Sequence, residues 1–177
     1  MDNIILIGMK ACGKSTVGKL LAKKLGIKFI ELDKEIEKIH LINKKEKLNF
    51  REIFKKHGAI YFRQLESKIL KNISREKKEK KFVLSCGGGT PLNENSQEIL
   101  KKLGKVIFLD VDKIVLLPRI LKHGVPAFFP YSNDPKKSLD ELLEKRKPVY
   151  EKTADKTIFF DDETPEELVK KIVSFLK

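Results

Sequence analysis

A glycine-rich segment between the first apolar run and the first helical pattern constrains this chain more than any other feature. Residues 4–7 are all apolar and predict a short strand buried on both faces, while the apolar spacing over residues 14–25 predicts a helix. Residues 8–15 between them read Gly-Met-Lys-Ala-Cys-Gly-Lys-Ser and match the pattern G-x-x-x-x-G-K-[ST]. A strand that turns directly into a helix in this way favours an α/β fold with the loop at the carboxyl end of the strand.

The chemistry of this loop indicates that it binds nucleotide phosphates. Its glycines let several backbone N–H groups turn towards one phosphate, and the following helix adds the positive end of its dipole. We expect Lys14 to reach the β- and γ-phosphates and the Ser15 hydroxyl to ligate Mg²⁺. The predicted ATP-binding residues of the loop are Gly8, Lys10, Ala11, Cys12, Gly13, Lys14, Ser15 and Thr16.

The rest of the chain alternates short apolar runs with helical patterns. Strands are predicted at residues 4–7, 28–32, 82–84, 106–109 and 157–160. Helices are predicted at residues 14–25, 33–40, 50–79, 114–121, 139–150 and 165–176, and a further helix ends at 100–103. The helix at 50–79 has a break at residue 58, and residues 122–136 are predicted to form a loop. Five strands that alternate with helices indicate a parallel sheet covered on both faces, and 177 residues suit one domain.

Charge and composition limit the partners and the compartment. The net charge of +13 would raise nucleic acid as a partner, but nearly all the cations are lysines, which is typical of a solvated coat. No apolar run approaches the roughly 20 residues that cross a membrane, and the first one begins too early for a signal peptide. Two cysteines cannot form a disulfide framework. We therefore expect a cytoplasmic protein with no nucleic-acid or membrane partner.

The size of the chain favours a small-molecule kinase among the proteins with this loop. A GTPase needs a guanine-reading Asn-Lys-x-Asp after a late strand, whereas residues 43–46 read Asn-Lys-Lys-Glu after the second strand and are interpreted as a surface charge run. A motor or a helicase needs a larger domain. A basic, nucleic-acid-associated NTPase remains an alternative.

Five segments in the same order resemble the shikimate kinase family. Besides the phosphate loop, Glu31-Leu32-Asp33 resembles the family's Asp-x-Asp after the second strand. Residues 52–66 contain Glu-Ile-Phe, Gly58 and Phe-Arg-x-x-Glu and resemble its substrate segment. Residues 87–89 resemble its triple-glycine turn, and residues 146–150, Arg-Lys-Pro-Val-Tyr, resemble its R-x-P-x-Y segment.

The resemblance implies both a fold and an activity. The fold is a three-layer P-loop kinase with a five-stranded parallel sheet in the order 2-3-1-4-5 and helices on both faces. The activity is transfer of the γ-phosphoryl group of Mg·ATP to the 3-hydroxyl of shikimate, which gives 3-phosphoshikimate and ADP. Residues 1–177 would form one kinase domain and act as a monomer, with a substrate segment at about 33–63 and a mobile lid at about 120–137. A related kinase of another small hydroxy acid or polyol stays open.

Two arginines fit the carboxylate of such a substrate. The planar guanidinium donates two parallel hydrogen bonds to a carboxylate, and in a chain whose usual cation is lysine, Arg63 and Arg146 are informative. Arg63 could instead form a helix-surface ion pair with Glu66, and Arg146 could be a cation late in a helix. The substrate-binding residues that the resemblance implies are Asp33, Phe54, Arg63, Gly87, Gly88, Gly89, Pro126 and Arg146.

Two carboxylates complete the implied catalytic site. By resemblance, Asp33 orients or deprotonates the attacking hydroxyl and shares the catalytic role with Lys14, although Asp33 also suits a helix N-cap. Glu31 stands where the family has its first aspartate. With Ser15 it would hold Mg²⁺ through water, which a carboxylate one methylene longer can still do.

The lid segment departs from the family pattern. Val125 precedes Pro126 where the family carries an arginine that spreads over the transferred phosphoryl group. Our hypothesis is that Lys122, His123 or Arg119 supplies this charge. Arg119 could equally fill the family's adenine-contacting, ATP-binding role.

The two cysteines have a separate interpretation. Cys12 lies in the phosphate loop and Cys86 directly precedes the glycine turn, on strands that are neighbours in the implied sheet. A thiol beside a helix N-terminus tends to be acidic, so one hypothesis is a reactive thiol in the site. The alternative is that both are small residues that fill tight space.

Overall fold

The computed structural model describes residues 2–75, 81–122, 124–126 and 128–176 of the chain. Five parallel strands form one sheet in the order β2-β3-β1-β4-β5, which confirms the expected topology. The strands are β1 (Asn3–Ile7), β2 (Lys28–Glu31), β3 (Phe82–Ser85), β4 (Gly104–Val111) and β5 (Lys156–Phe160).

Seven helices connect and cover the strands in the described part of the chain. They are α1 (Lys14–Leu25), α2 (Leu32–Lys44), α3 (Phe50–Arg75), α4 (Glu94–Leu103), α5 (Lys113–Leu121), α6 (Pro135–Thr153) and α7 (Pro165–Leu176). A single 3₁₀ turn, Thr90–Leu92, follows β3. The predicted end of α3 near residue 79 and the lid candidate His123 lie outside the described residues.

Two helix starts differ from the sequence prediction. The helix α6 begins at Pro135, four residues early, because proline suits the first helical position and the Asp134 side chain accepts a hydrogen bond from Lys137 N. The helix α2 begins at Leu32, so Glu31 is its N-cap residue. The alternative role of Asp33 as the N-cap is therefore wrong: Asp33 lies in the first turn, where a carboxylate complements the helix dipole.

The hydrophobic core forms around the central strand. Every side chain from Ile4 to Ile7 is 0% exposed, and successive strand side chains point to opposite faces, so both faces of the sheet are covered. Full burial of each such side chain contributes about 1.5–3 kcal/mol. No helix in the described ranges is both long and apolar enough to cross a membrane.

Close packing at the start of β1 sets the strand register. The Asn3 side chain donates to Leu103 O at 2.8 Å and accepts from Phe82 N at 3.3 Å, so one residue ties β1 to β3 and to the end of α4, directly before β4. Gly104 allows β4 to approach, because a Cβ there would lie 2.2 Å from Asn3 O. This register brings the carboxyl ends of β1, β2 and β3 to the same edge of the sheet.

The helix α3 is kinked where the sequence predicts a break. Gly58 has φ 79° and ψ 173°, which lie outside the helical region and suit glycine. The kink separates the segment that carries Phe54 from the segment that carries Arg63. The rings of Phe54 and Phe62 nevertheless meet edge to face across it, with centroids 5.6 Å apart.

Candidate active site

The loop between β1 and α1 has the backbone of a phosphate cradle. Gly8, Ala11 and Gly13 have φ of 141°, 66° and 95°, so the backbone is left-handed or otherwise unusual at three positions before α1 begins. A Cβ on Gly8 would lie 2.6 Å from Leu109 O, so only glycine fits there. Residues 14–17, the first turn of α1, include no acidic side chain, and the positive end of the helix dipole faces the loop uncompensated.

The Lys14 ammonium is held against this loop. Its Nζ donates to Gly8 O at 2.9 Å and to Met9 O at 2.7 Å, and the residue is only 8% exposed. These contacts hold the cation at the start of the helix, where Lys14 and the loop amides would donate hydrogen bonds to phosphate oxygens.

Ser15 and Glu31 bring together two oxygen ligands. Ser15 lies in the first turn of α1, Glu31 ends β2, and the Ser15 hydroxyl donates a hydrogen bond to Glu31 Oε1. Hydroxyl and carboxylate oxygens are the ligands that Mg²⁺ prefers. The pair therefore fits the metal-binding residues that the sequence predicted.

Asp33 carries an unusual carboxyl group. Burial, and then the nearby Glu66 carboxylate, raise its pKa from 3.8 to about 6, while Lys14 acts in the opposite direction. A carboxyl with a pKa just below neutral is mostly ionised at pH 7 and can still accept a proton readily. Such a shift in a polar cleft is typical of a general base.

Glu66 holds the predicted substrate arginine in place. Its side chain is 1% exposed; one carboxylate oxygen accepts from Thr90 Oγ1 at 2.6 Å and the other accepts from Arg63 Nη1. The ion pair between Arg63 and Glu66 does form, but with a buried carboxylate beside Asp33 rather than on the helix surface. The sequence indicated the pair through its i, i+3 spacing and gave no sign of the contact with Thr90.

Each glycine of the triple-glycine turn makes room for another part of the site. A Cβ on Gly87 would lie 3.3 Å from Asp33 Oδ1, and one on Gly88 would lie 3.1 Å from Lys10 N. A Cβ on Gly89 would lie 2.0 Å from Arg63 Nη2. The turn thus packs against the phosphate loop, Asp33 and Arg63.

The helix α6 fixes this turn from the other side. Tyr150 is fully buried and donates to Gly88 O at 2.5 Å, and burial raises the pKa of Tyr150 to about 12, so its hydroxyl keeps its proton. Lys147 anchors the same helix through a 2.6 Å ion pair with the buried Asp110. Tyr150 belongs to the R-x-P-x-Y segment, but that motif does not indicate this contact.

Arg146 lies between the phosphate loop and the lid. Its Nη1 is 3.9 Å from Met9 Sδ, and its guanidinium lies 5.4 Å from the ring centroid of Phe128. Lys10 approaches the same ring at 5.4 Å. Arg146 is in the middle of α6, so its alternative interpretation as a helix-end cation is wrong.

The remaining predicted residues are less closely integrated. Phe54 is half-buried against Phe62, and Pro126 is buried in the lid, where its carbonyl accepts from Phe129 N at 3.0 Å. Thr16 and Arg119 are exposed. The structure gives these two no contact with the other predicted residues within the described ranges.

Both cysteines are buried. Cys12 is 0% exposed and Cys86 is 3% exposed, and burial raises the pKa of the Cys86 thiol far above its ordinary value. A buried thiol with a raised pKa reacts slowly. The structure therefore favours the interpretation that these residues fill tight space.

Comparisons with known proteins agree over nearly the whole chain. A family model described as shikimate kinase matches residues 10–177. The shikimate kinase of Sulfurihydrogenibium sp. is 38% identical over 177 residues, with 100% of this chain and 99% of that protein covered. The shikimate kinase of Alkaliphilus oremlandii is 40% identical over 176 residues, with 98% of each covered.

A solved structure supports the same relationship. The shikimate kinase from Acinetobacter baumannii in complex with shikimate superposes with a TM-score of 0.86 at 31% identity, with 99% of this chain and 93% of that chain covered. The phosphate loop, the triple-glycine turn and the two arginines thus occur within a match that spans the chain. The chain belongs to the shikimate kinase family, whose members are ATP-dependent kinases.

Proposed function

We propose that this kinase transfers the γ-phosphoryl group of ATP to the 3-hydroxyl of shikimate, giving 3-phosphoshikimate and ADP. The observation that carries the proposal is the triple-glycine turn, whose three glycines lie against the Asp33 carboxyl, the phosphate loop and the Arg63 guanidinium in turn. An acceptor with a carboxylate at one end and a hydroxyl at the other suits this arrangement. A cytoplasmic monomer with no nucleic-acid or membrane partner remains our expectation.

The donor side of the proposed site is the phosphate loop. Loop amides and Lys14 would bind the β- and γ-phosphates, where they stabilise the charge that develops during transfer. Ser15, and Glu31 through water, would hold Mg²⁺. When bound, the metal neutralises charge on the phosphate oxygens.

The acceptor side consists of the two arginines and the base. Arg63, oriented by Glu66, and Arg146 would bind the carboxylate of shikimate, and the Gly88 backbone allows the ring to approach. Phe54 would contact the apolar side of the ring. Asp33 would accept the proton of the 3-hydroxyl as its oxygen bonds to the γ-phosphorus, while the bond from phosphorus to the bridging oxygen breaks and ADP leaves.

The function is tested by measuring ADP release with a panel of acceptors and Mg·ATP. We expect release with shikimate and none above background with 3-dehydroshikimate, which keeps the carboxylate but has no 3-hydroxyl. Gluconate and glycerol represent the alternative acids and polyols. Faster turnover with either of these would identify a different acceptor and contradict the proposal. ATP hydrolysis that depends on RNA or DNA would contradict it in favour of a nucleic-acid-associated NTPase.

The Asp33→Asn variant is expected to lose turnover and gain stability. Without the base, kcat should fall about 10²- to 10⁴-fold, and the wild-type kcat/KM should decline as the pH drops below about 6. The folded-state pKa of about 6 exceeds 3.8, so the folded protein loses stability as the pH rises from 3.8 to about 6, and the whole loss is present above pH 6. The neutral amide removes this cost, and the midpoint of thermal unfolding should rise at pH 7.5.

The stability gain of Asp33→Asn should shrink as the pH falls towards 4, because the native carboxyl is then protonated and neutral. Glu98→Gln is the matched control, since Glu98 is 72% exposed and lies 3.9 Å from Lys102. It should change neither the unfolding midpoint nor the turnover. A pH-independent midpoint difference for Asp33→Asn would contradict the assignment.

The Arg63→Lys variant is expected to bind shikimate poorly. Lysine keeps the charge but loses the planar fork, and loss of a charge-assisted hydrogen bond costs about 1.5–3 kcal/mol, or roughly 10- to 100-fold in KM for shikimate. KM for ATP should change little. Arg75→Lys, at the exposed end of α3, is the control and should behave as wild type. An unchanged KM for shikimate would remove Arg63 from the proposed site.

We propose that the lid spans about residues 120–137 and the substrate segment about residues 33–63, within one kinase domain formed by the whole chain. Arg119 directly precedes the lid and Lys122 lies within it; both are exposed, and either can supply the charge that Val125 lacks. Lys122→Ala or Arg119→Ala should lower kcat at least tenfold if that residue contacts the transferred phosphoryl group. A raised KM for ATP with unchanged kcat would instead assign Arg119 to adenine. Wild-type kinetics in both variants would exclude both residues.

A further inference from the structure

Three potential metal ligands converge where α2 meets α3, and none of them takes part in the proposed phosphoryl transfer. His40 lies near the end of α2, Glu46 follows in the connecting loop, and His57 directly precedes the kink in α3. One ligand atom from each residue lies within 4.8 Å of the other two. The cluster combines two imidazoles with one carboxylate.

His40 has a buried nitrogen that makes no hydrogen bond in the part of the chain that the structure describes, although Glu46 Oε2 lies 3.5 Å away. The residue is 0% exposed, and its Nε2 has no hydrogen-bond partner among the described residues. Leaving a buried polar atom unsatisfied costs about 1–3 kcal/mol, so such atoms call for an explanation.

The second nitrogen of His40 is held in the orientation that metal ligation needs. His40 Nδ1 lies 3.0 Å from the hydroxyl of Tyr61, on the other side of the α3 kink. When Nδ1–H donates to this hydroxyl, Nε2 presents its lone pair to Glu46 and His57. A hydrogen bond that fixes the tautomer of a ligating histidine is a regular feature of protein metal sites.

The distances between the ligand atoms suit a tetrahedral ion. Zn²⁺ binds nitrogen and oxygen at about 2.0–2.1 Å, which places neighbouring ligand atoms about 3.3 Å apart. Glu46 Oε2 lies 3.5 Å from His40 Nε2 and 3.1 Å from His57 Nε2. Two of the three edges therefore have the required length already.

We propose that His40 Nε2, Glu46 Oε2 and His57 Nε2 bind a Zn²⁺-class divalent ion, with water as the fourth ligand. Imidazole nitrogen favours Zn²⁺ and its first-row neighbours over Mg²⁺ and Ca²⁺. Lys56 Nζ now lies 3.0 Å from the same Glu46 oxygen, but its side chain is 56% exposed and can turn into solvent. The ion takes the place of this ammonium as the counter-charge of Glu46.

A bound ion links the two helices of the substrate segment. It joins the last turn of α2 to α3 just before Gly58, and these helices carry Asp33 and Arg63. The link restricts the kink without contacting the reacting groups. Metal binding should therefore be measurable as an affinity and as a rise in thermal stability. Neither measurement depends on which acceptor the kinase phosphorylates.

The test titrates tag-free, nucleotide-free protein with Zn²⁺ by calorimetry, and with Co²⁺ by visible absorption. Wild type should bind one Zn²⁺ per chain, unfold at a higher temperature with Zn²⁺, and give the visible bands of four-coordinate Co²⁺. His57→Gln and Glu46→Gln should each weaken Zn²⁺ at least tenfold. Neither residue is fully buried, whereas His40→Gln would risk the fold.

His123→Gln is the matched control, because His123 is the remaining histidine of the chain. This variant should bind Zn²⁺ with wild-type affinity. The proposal is overturned if wild type shows no saturable binding, or if His57→Gln or Glu46→Gln binds as tightly as wild type. Equal weakening in His123→Gln would place the ion elsewhere and would also overturn it.

Discussion

The buried carboxylate of Glu66 is the interaction on which the geometry of the active site depends. A carboxylate that is 1% exposed is stable only if it is paired, and Glu66 is paired twice, with Arg63 from its own helix and with Thr90 from the end of the glycine turn. Removing one partner from a buried ion pair costs about 3–5 kcal/mol. The arginine and the glycine turn are thus fixed to each other.

The same carboxylate also sets the chemistry of Asp33. After burial, Glu66 is the largest cause of the raised pKa of Asp33, because two nearby negative charges in a cleft disfavour each other. Glu66 therefore orients the group proposed to bind the substrate and tunes the group proposed to deprotonate it. A positioning residue with both roles explains why a charge is retained in the interior, where an apolar side chain would be easier to bury.

The sequence predicted those parts of the site that are local in the chain. The phosphate loop needed only a strand, a turn and a helix in succession, and the glycine turn and Arg63 followed from motifs. Contacts between distant segments were not visible: nothing in the spacing of Glu66 and Thr90 indicates that their side chains meet. The same holds for the contact between Tyr150 and Gly88. It also holds for His40, Glu46 and His57, because their spacing in the chain does not indicate a shared metal site. These contacts depend on how α3 and α6 pack, which periodicity does not specify.

The charge of the chain acts on two length scales. The net charge of +13 attracts anions such as ATP and a carboxylate substrate, but at physiological ionic strength this field is screened within about 8 Å. Inside the cleft the balance is reversed, because burial, and then the Glu66 and Glu31 carboxylates, raise the pKa of Asp33 despite Lys14. If the positive potential of the surface dominated in the cleft, it would lower the pKa of the carboxyl group and make it a weaker base. Burial and the neighbouring carboxylates therefore keep the pKa of the proposed base, Asp33, close to neutral, while the lysine-rich surface attracts anions.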